Sequence, residues 1–211
     1  MVKDTKTKIL DAAELLFSKQ GIAATSVRNI ISSAKVNIAS IHYHFGCKHE
    51  VIKEVYARRI LPVNELRLRL LDELENKAAG RPLKVCDIVY AFLNPVNQLL
   101  AAQKNQVVLK GLMARIHSEP DEVVHIKRLF NDVFVRFYAA FSFALPLVSA
   151  SELKSRFSFM IGIMGIAYLD EHIVQQSGGS PSIEETGKRI IQFVTAGFES
   201  PAVNNHRRNK C

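Results

Sequence analysis

Apolar residues recur at three- and four-residue steps along nearly the whole chain, and nowhere do they alternate long enough to build a strand. Such a chain can bury its apolar side chains only by packing helix on helix, so the predicted fold class is all-α. Glycine and proline punctuate it. Ile9, Ala12, Ala13, Leu16 and Phe17 line one face of a first helix that "KQG" ends, with Gly21 suited to a left-handed cap. Thr25 or Ser26 caps a short helix through Ser33, "AKVN" breaks it, and a second short helix runs from Ile38 to about Phe45. A fourth helix begins after Gly46, and Pro62 stops or kinks it near Leu61. The helical period resumes and closes at Gly80. The next helix carries Pro82 in its first turn and Pro95 in its middle. Further helices run from Asn105 to His117, from Asp121 to about Leu145, from a cap at Ser149 or Ser151, and, after the loop "SGGSPS", from Ile183 to Phe198. The chain therefore divides into residues 1–50, a small domain of short helices, residues 51–200, a larger helical bundle, and residues 201–211, a disordered basic tail.

The formal net charge of +8 is gathered at the two ends. Through Leu61 ten bases face five acids, the stretch to Glu199 balances, and Arg207, Arg208 and Lys210 stand unopposed beyond it. A basic N-terminal segment beside a neutral body points to a polyanion read by one end of the molecule. Cys47, Cys86 and Cys211 are too few and too far apart for a disulfide framework, which fits a reducing compartment. The N-terminus lacks the apolar core of a signal peptide, and the longest apolar run, Phe159 to Leu169, is too short to cross a bilayer. The expected location is cytoplasmic, with no membrane partner.

The stretch "TSVRNIISSAKVNIASIHYHF" has the geometry of a helix-turn-helix. Val27, Ile30 and Ile31 pack against Val36, Ile41 and Phe45, which leaves Asn37, Ala39, Ser40, His42, Tyr43 and His44 outward on the second helix. That outward set has donors and small side chains but no carboxylate, which suits a helix in the DNA major groove. Thr25, Ser26 and Arg28 start the preceding helix and are placed to hold phosphates, as is Lys48 just past the second. Metal binding is the competing use of "ASIHYHFGCKHE". On a helix, however, His42 and His44 point to nearly opposite sides, and His42 with Cys47 or His49 has no recognised ligand spacing. No metal site and no cofactor are expected.

The run "TKILDAAELLFSKQGIAATSVRNIISSAKVNIASIHYHFGCKHEVIKEV" resembles the DNA-binding domain of TetR-type transcriptional regulators, over roughly the first 55 residues. "AAxLLF…G" in the first helix, "T-S-V-x-x-I" in the second, the ending "Y-H-F" and the following Lys48 all stand in register. The variant "N-I-A-S-I-H-Y-H-F-G", followed by "RRILPVNELRLRLLDEL", is similar to a branch that includes fatty-acid-responsive repressors. Two departures bear on stability. Lys35 stands where the family has a glycine at positive φ, at a cost of roughly 1 kcal/mol. Cys47-Lys48-His49 replaces Ser-Lys-Glu, which forfeits an N-cap worth about 0.5–2 kcal/mol.

The resemblance implies an N-terminal helix-turn-helix domain, with Arg28, Asn37, Ala39, Ser40, His42, Tyr43, His44 and Lys48 at DNA-contacting positions. It also implies a C-terminal helical bundle for ligand binding and dimerisation. An apolar cavity there would be lined by Phe92, Val96, Leu100, Met113, Phe134, Phe137, Phe141, Met160 and Met164, and would take a lipophilic small-molecule effector of unknown identity. No buried charge stands out in the sequence as an anchor. The glycines of "GIMG", Gly162 and Gly165, point to close helix approach, and with Ile190, Ile191, Phe193, Val194 and Phe198 they would form a homodimer face through the last two helices.

The implied function is a transcriptional repressor on double-stranded, palindromic operator DNA, released by its effector. Two alternatives stay open: an architectural DNA-binding protein of the same fold without a ligand, and a helical small-molecule-binding protein that never touches DNA. Catalysis is not expected. No GxSxG, HExxH, P-loop or dinucleotide fingerprint occurs, and "EVVH", Glu122 to His125, has no second Glu-x-x-His unit to make a di-iron site.

Overall fold

The computed structural model describes residues 4–102, 106–169 and 182–201, without the side chains of residues 106, 117 and 167–169. The "SGGSPS" loop before Ser182 and the basic tail after Pro201 lie outside the described residues. All the regular structure described is helical: α1 Thr5–Gln20, α2 Val27–Ala34, α3 Ile38–Phe45, α4 Lys48–Ala78, α5 Val85–Ala102, α6 Gln106–Ser118, a 3₁₀ turn Val124–Phe130, α7 Asn131–Ala144, α8 Ala150–Leu169 and α9 Ile183–Glu199.

The short N-terminal helices end where local chemistry ends them. Asp4 caps α1, its carboxylate accepting from Thr7 N–H at 2.8 Å, and Gly21 closes the helix at φ +95°. Ser26 and Asn29 form a reciprocal capping box on α2. Lys35 ends α2 in the left-handed conformation, at φ 54°, where the TetR-type resemblance would have a glycine. Asn37 caps α3 and Gly46 ends it at φ 74°.

Three expected breaks fall differently. α4 continues past Pro62, which sits inside the helix instead of stopping it. The ring removes only one donor, leaving the Arg58 carbonyl without its helical N–H, and the flanking turns hold the helix together. α5 starts at Val85, so Pro82 precedes it rather than occupying its first turn. The single helix expected from Asp121 to Leu145 is a 3₁₀ turn followed by α7.

The chain groups into two compact units, Met1–Asn64 with Ala102–Asn131, and Glu65–Ala101 with Asp132–Cys211. The first unit thus runs past the expected boundary at residue 50 and takes in α6 and the 3₁₀ turn. Its core gathers Ile9, Ala13 and Phe17 of α1, Ile30 of α2, Ile41 and Phe45 of α3, and Val51, Val55 and Tyr56 of α4. Leu112 of α6 and Ile126 of the 3₁₀ turn complete it. Tyr56 donates its hydroxyl to the Leu112 carbonyl at 3.0 Å, which pins α6 to α4, and burial pushes its phenol well above the usual range.

The second unit is built on aromatic rings. Phe92 meets Phe137 and Phe157 edge to face, and Phe141 stacks on Phe198 with centroids 4.1 Å apart. α8 packs on α9. Gly187 of α9 is seated on α5, where a Cβ would collide with the Asn97 side chain. Among the described residues one helix, α5, is long and apolar enough to cross a membrane, and half of it is buried inside this unit.

Candidate nucleic-acid interface

α3 presents two unlike faces. Ile41 and Phe45 point into the core, Ile41 being 1 % exposed, while Tyr43 stands out at 86 %. His42 and Ala39 are exposed beside it and Ser40 and His44 are half-buried. The surface is partly pre-ordered by its own hydrogen bonds. Asn37 Oδ1 accepts from both the backbone N–H and the hydroxyl of Ser40, at 3.0 and 3.1 Å, which leaves the Asn37 amide N–H₂ to reach outward. His42 Nδ1 lies 3.1 Å from the Gly46 carbonyl, which can only accept, so Nδ1–H donates there. The Tyr43 and His44 rings meet edge to face at 5.0 Å, which holds the tyrosine off the backbone.

Arg28 and Lys35 flank this surface, both exposed. Other bases of the N-terminal segment are consumed internally. Arg58 and Arg59 both grip the buried Glu14 carboxylate, Arg58 also holds Asp11 at 2.7 Å, and Lys6 pairs with Glu54. Part of the positive charge counted in the sequence therefore fixes α1 to α4 instead of facing a partner.

Two expected phosphate contacts are placed differently. The Thr25 side chain is 0 % exposed, its hydroxyl donating to the Gly21 carbonyl at 2.6 Å and accepting from Gln20 at 3.2 Å. Thr25 is therefore a buried staple of the α1–α2 turn, not a surface contact: a threonine before a helix reads as a cap in sequence, but here Ser26 takes the cap. Lys48 is half-buried, and its ammonium donates to the Ile22 carbonyl at 2.7 Å, so at most its remaining N–H groups are available.

The residues expected to bind a ligand do not form one group. Met113 packs against the core of the first unit, whereas the rest of the set belongs to the second. Phe92, Leu100, Phe137, Phe141 and Met160 are buried in the second unit, Val96 and Met164 are half-buried, and Phe134 lies at the exposed edge, its ring against Phe157. Ring contacts link Phe92, Phe134, Phe137 and Phe141 through Phe157 and one another. The groove described in the second unit is elsewhere, about 240 Å³ and open, lined by Glu75, Gly80, Arg81, Leu83, Ala140 and Phe143.

The expectation of no buried charge is also corrected. Arg67 of α4 is 2 % exposed, its Nε donating to the Phe92 carbonyl at 2.8 Å and its guanidinium lying 4.2 Å from the centre of the Phe92 ring. Burial pulls its pKa down to about 9. In sequence, "NELRLRLL" reads as an ordinary charged helix face, so nothing there marks Arg67 off from Arg69.

His49 and His125, from the two histidine-bearing stretches weighed for metal binding, lie ring against ring at 4.3 Å. Among the described residues they gather no third ligand.

A family profile described as bacterial regulatory proteins, tetR family, matches residues 9–55, the span that builds α1, α2, α3 and the start of α4. A second, described as tetracyclin repressor-like, C-terminal domain, matches residues 90–197, just over half of the chain. The chain belongs to the TetR family.

Residues 9–55 are thus the DNA-binding domain of a family of transcriptional regulators, not of enzymes. Among curated relatives, the transcriptional regulator AcrR of Shigella flexneri is 35% identical over 83 residues, covering 39% of this chain and 37% of that protein. The regulator TtgR of Pseudomonas putida is 27% identical over 130 residues, 62% of this chain and 53% of that one. The matched span is therefore about a third to a half of these relatives' own length. Among solved structures, NalD of Pseudomonas aeruginosa, described as the secondary repressor of the MexAB-OprM multidrug efflux pump, superposes with a TM-score of 0.67 at 21% identity, covering 92% of this chain and 96% of NalD. AmtR of Mycobacterium smegmatis gives 0.61 at 16% identity over 95% and 89%. At those identities the likeness is one of fold.

Proposed function

We propose that this TetR-family regulator is a cytoplasmic repressor that binds a palindromic operator as a homodimer and is released from it by a lipophilic small molecule. The observation that carries the DNA-reading part is the outward face of α3. Asn37, Ala39, Ser40, His42, Tyr43 and His44 offer a carboxylate-free set of donors, acceptors and small groups, on a helix anchored from behind by Ile41 and Phe45. Ser26 and Arg28 at the start of α2, with Lys35 in the turn, supply the phosphate contacts. Support for repression comes from relatives named as repressors, NalD and KstR2 of Rhodococcus jostii.

Support for the dimer comes from the exposed stripe of α8 and α9. Phe159, Ile166 and Phe193 are exposed, and a Cβ built on Gly162 or Gly197 would meet nothing within 4 Å among the described residues. Glycines with open space before them suit a helix arriving from a second copy. Ile190, Val194 and Phe198 drop out of this face, because they are buried within the second unit. The effector would enter by parting the Phe92, Phe134, Phe137 and Phe141 cluster with its Met160 and Met164 neighbours.

The test is titration of a duplex selected from random-sequence DNA by the full-length chain, at several salt concentrations. The expected affinity falls steeply with salt, by a log–log slope near −0.9 per neutralised phosphate. A weak affinity that does not change with salt would contradict it.

A further inference from the structure

The turn between α1 and α2 is held by a residue far along the chain. Glu119, immediately after α6, places Oε2 where it accepts from two successive backbone donors, Ile22 N–H at 2.9 Å and Ala23 N–H at 2.8 Å. Both carboxylate and turn belong to the first unit. The approach is close on every side. Gly21 lies at φ +95°, and a Cβ there would sit 2.8 Å from Glu119 Oε1. Arg115, one turn back on α6, reaches Glu119 Oε1 at 3.4 Å and the Ser18 and Lys19 carbonyls at 3.5 and 3.4 Å. Gly111 lets α6 onto α1, since a Cβ there would lie 2.9 Å from the Ser18 carbonyl oxygen. Lys48 fastens the opposite polar group of the same turn, the Ile22 carbonyl. Three residues past Ala23 begins the Ser26 cap, then Arg28.

We propose that Glu119 is a positioning residue for DNA binding: its carboxylate fixes the α1–α2 turn, and through it the angle at which Ser26, the α2 N-terminus and Arg28 meet the phosphate backbone. A carboxylate suits the task because one oxygen can take two N–H groups with charge-assisted strength, which neither water nor a hydroxyl does as firmly. The residue lies outside the matched N-terminal domain, residues 9–55. The inference rests on the phosphate role assigned above to Ser26 and Arg28.

The sign of the effect separates positioning from charge. Deleting an acid makes a DNA-binding body more positive, so charge alone predicts that Glu119→Ala binds a duplex as tightly as before or more so. Positioning predicts the reverse, a loss of about tenfold or more, with a shallower salt slope. Glu119→Gln keeps an acceptor oxygen without the charge and should fall between the two, and it carries the test if Glu119→Ala does not fold. The experiment is anisotropy titration of the selected duplex with full-length Glu119→Ala, Glu119→Gln, Arg28→Ala and the double variant Glu119→Ala/Arg28→Ala, with melting recorded alongside. The expected result is that Glu119→Ala and Arg28→Ala each bind more weakly and the double variant loses less than the product of those two losses, because Glu119 acts through Arg28. Wild-type or tighter binding by Glu119→Ala and Glu119→Gln, or losses that simply multiply, would overturn the proposal. A silent Arg28→Ala beside a weakened Glu119→Ala would instead locate the error in the phosphate assignment, and with it overturn the route through Arg28.

Discussion

From Ser26 to Gly46 the polar groups are served mostly by near neighbours in sequence, whereas in the second unit the buried ones are served from afar. Ser26 and Asn29 cap each other, Asn37 caps α3 by accepting from both the N–H and the hydroxyl of Ser40, and His42 meets Gly46. In the second unit Arg67 donates to the Phe92 carbonyl, 25 residues on, and Arg156 to the Phe198 carbonyl, 42 residues on. A surface stabilised locally can change its outward side chains without loss of fold, because the caps and the inward apolar face stay in place. An interior held by long-range pairs has no such freedom: each ring and each buried guanidinium answers for several elements at once.

The widest gap between the regions should appear on truncating an aromatic residue in each. Phe137→Ala removes a fully buried ring that meets Phe92, and should cost about 3–5 kcal/mol in a urea melt. Phe193→Glu, at a position 67 % exposed, should leave the melt of the isolated chain nearly unchanged while shifting sedimentation from dimer to monomer. A silent Phe137→Ala would mean the aromatic cluster is loose enough to be a cavity after all.

A smaller effect distinguishes two adjacent hydroxyls. Thr25→Val should cost about 1–2 kcal/mol of stability, because the Gly21 carbonyl and the Gln20 amide lose a buried partner. Its operator salt slope should shift less than that of Ser26→Ala, since valine removes no phosphate contact and Glu119 still holds the turn. Ser26→Ala should lose about 1 kcal/mol through the missing cap and should also weaken operator binding. Identical profiles for the two would erase the distinction between staple and contact.

Smallest is Lys35→Gly. Relief of a non-glycine residue at φ 54° should raise stability by about 1 kcal/mol, read as a higher melting temperature. The same variant should bind DNA slightly more weakly, with a salt slope shallower by about one phosphate.

How far the chain could be read in advance follows from the same contrast. The first three helices announce themselves, since Gly21, Ser26, Asn37 and Gly46 are caps whose chemistry is local, and the period of Ile30, Ile41 and Phe45 sets the inward face. Thr25 misleads because a buried threonine and a capping threonine look alike in sequence, and only the Gly21 carbonyl beneath it tells them apart. Glu119 carries no signal at all in sequence, being a lone acid after a helix whose partners lie 97 and 96 residues away. The second unit hides its divisions for a different reason. Phe137, Phe134 and Phe193 are one residue type at helical spacing, and only packing assigns them to core, edge and exposed stripe. Arg67 hides among the other arginines of α4 because burial of a charge is decided by which helix covers it. Even the helix boundary near Pro62 depends on tertiary support: a proline removes one donor, and packing decides whether the helix survives.

The central claim is that the outward side of α3 reads DNA while its inward side holds the fold, and Tyr43 and Ile41 stand on the two sides. Operator affinity and thermal melting of Tyr43→Ala and Ile41→Ala, measured on the same preparations, test it most directly. Tyr43→Ala should lose about 1–3 kcal/mol of specific binding with an unchanged melt, and Ile41→Ala should lower the melt by an amount equivalent to about 2–5 kcal/mol. A Tyr43→Ala protein that melts early but binds normally, beside an Ile41→Ala protein that is stable and blind to the operator, would contradict it.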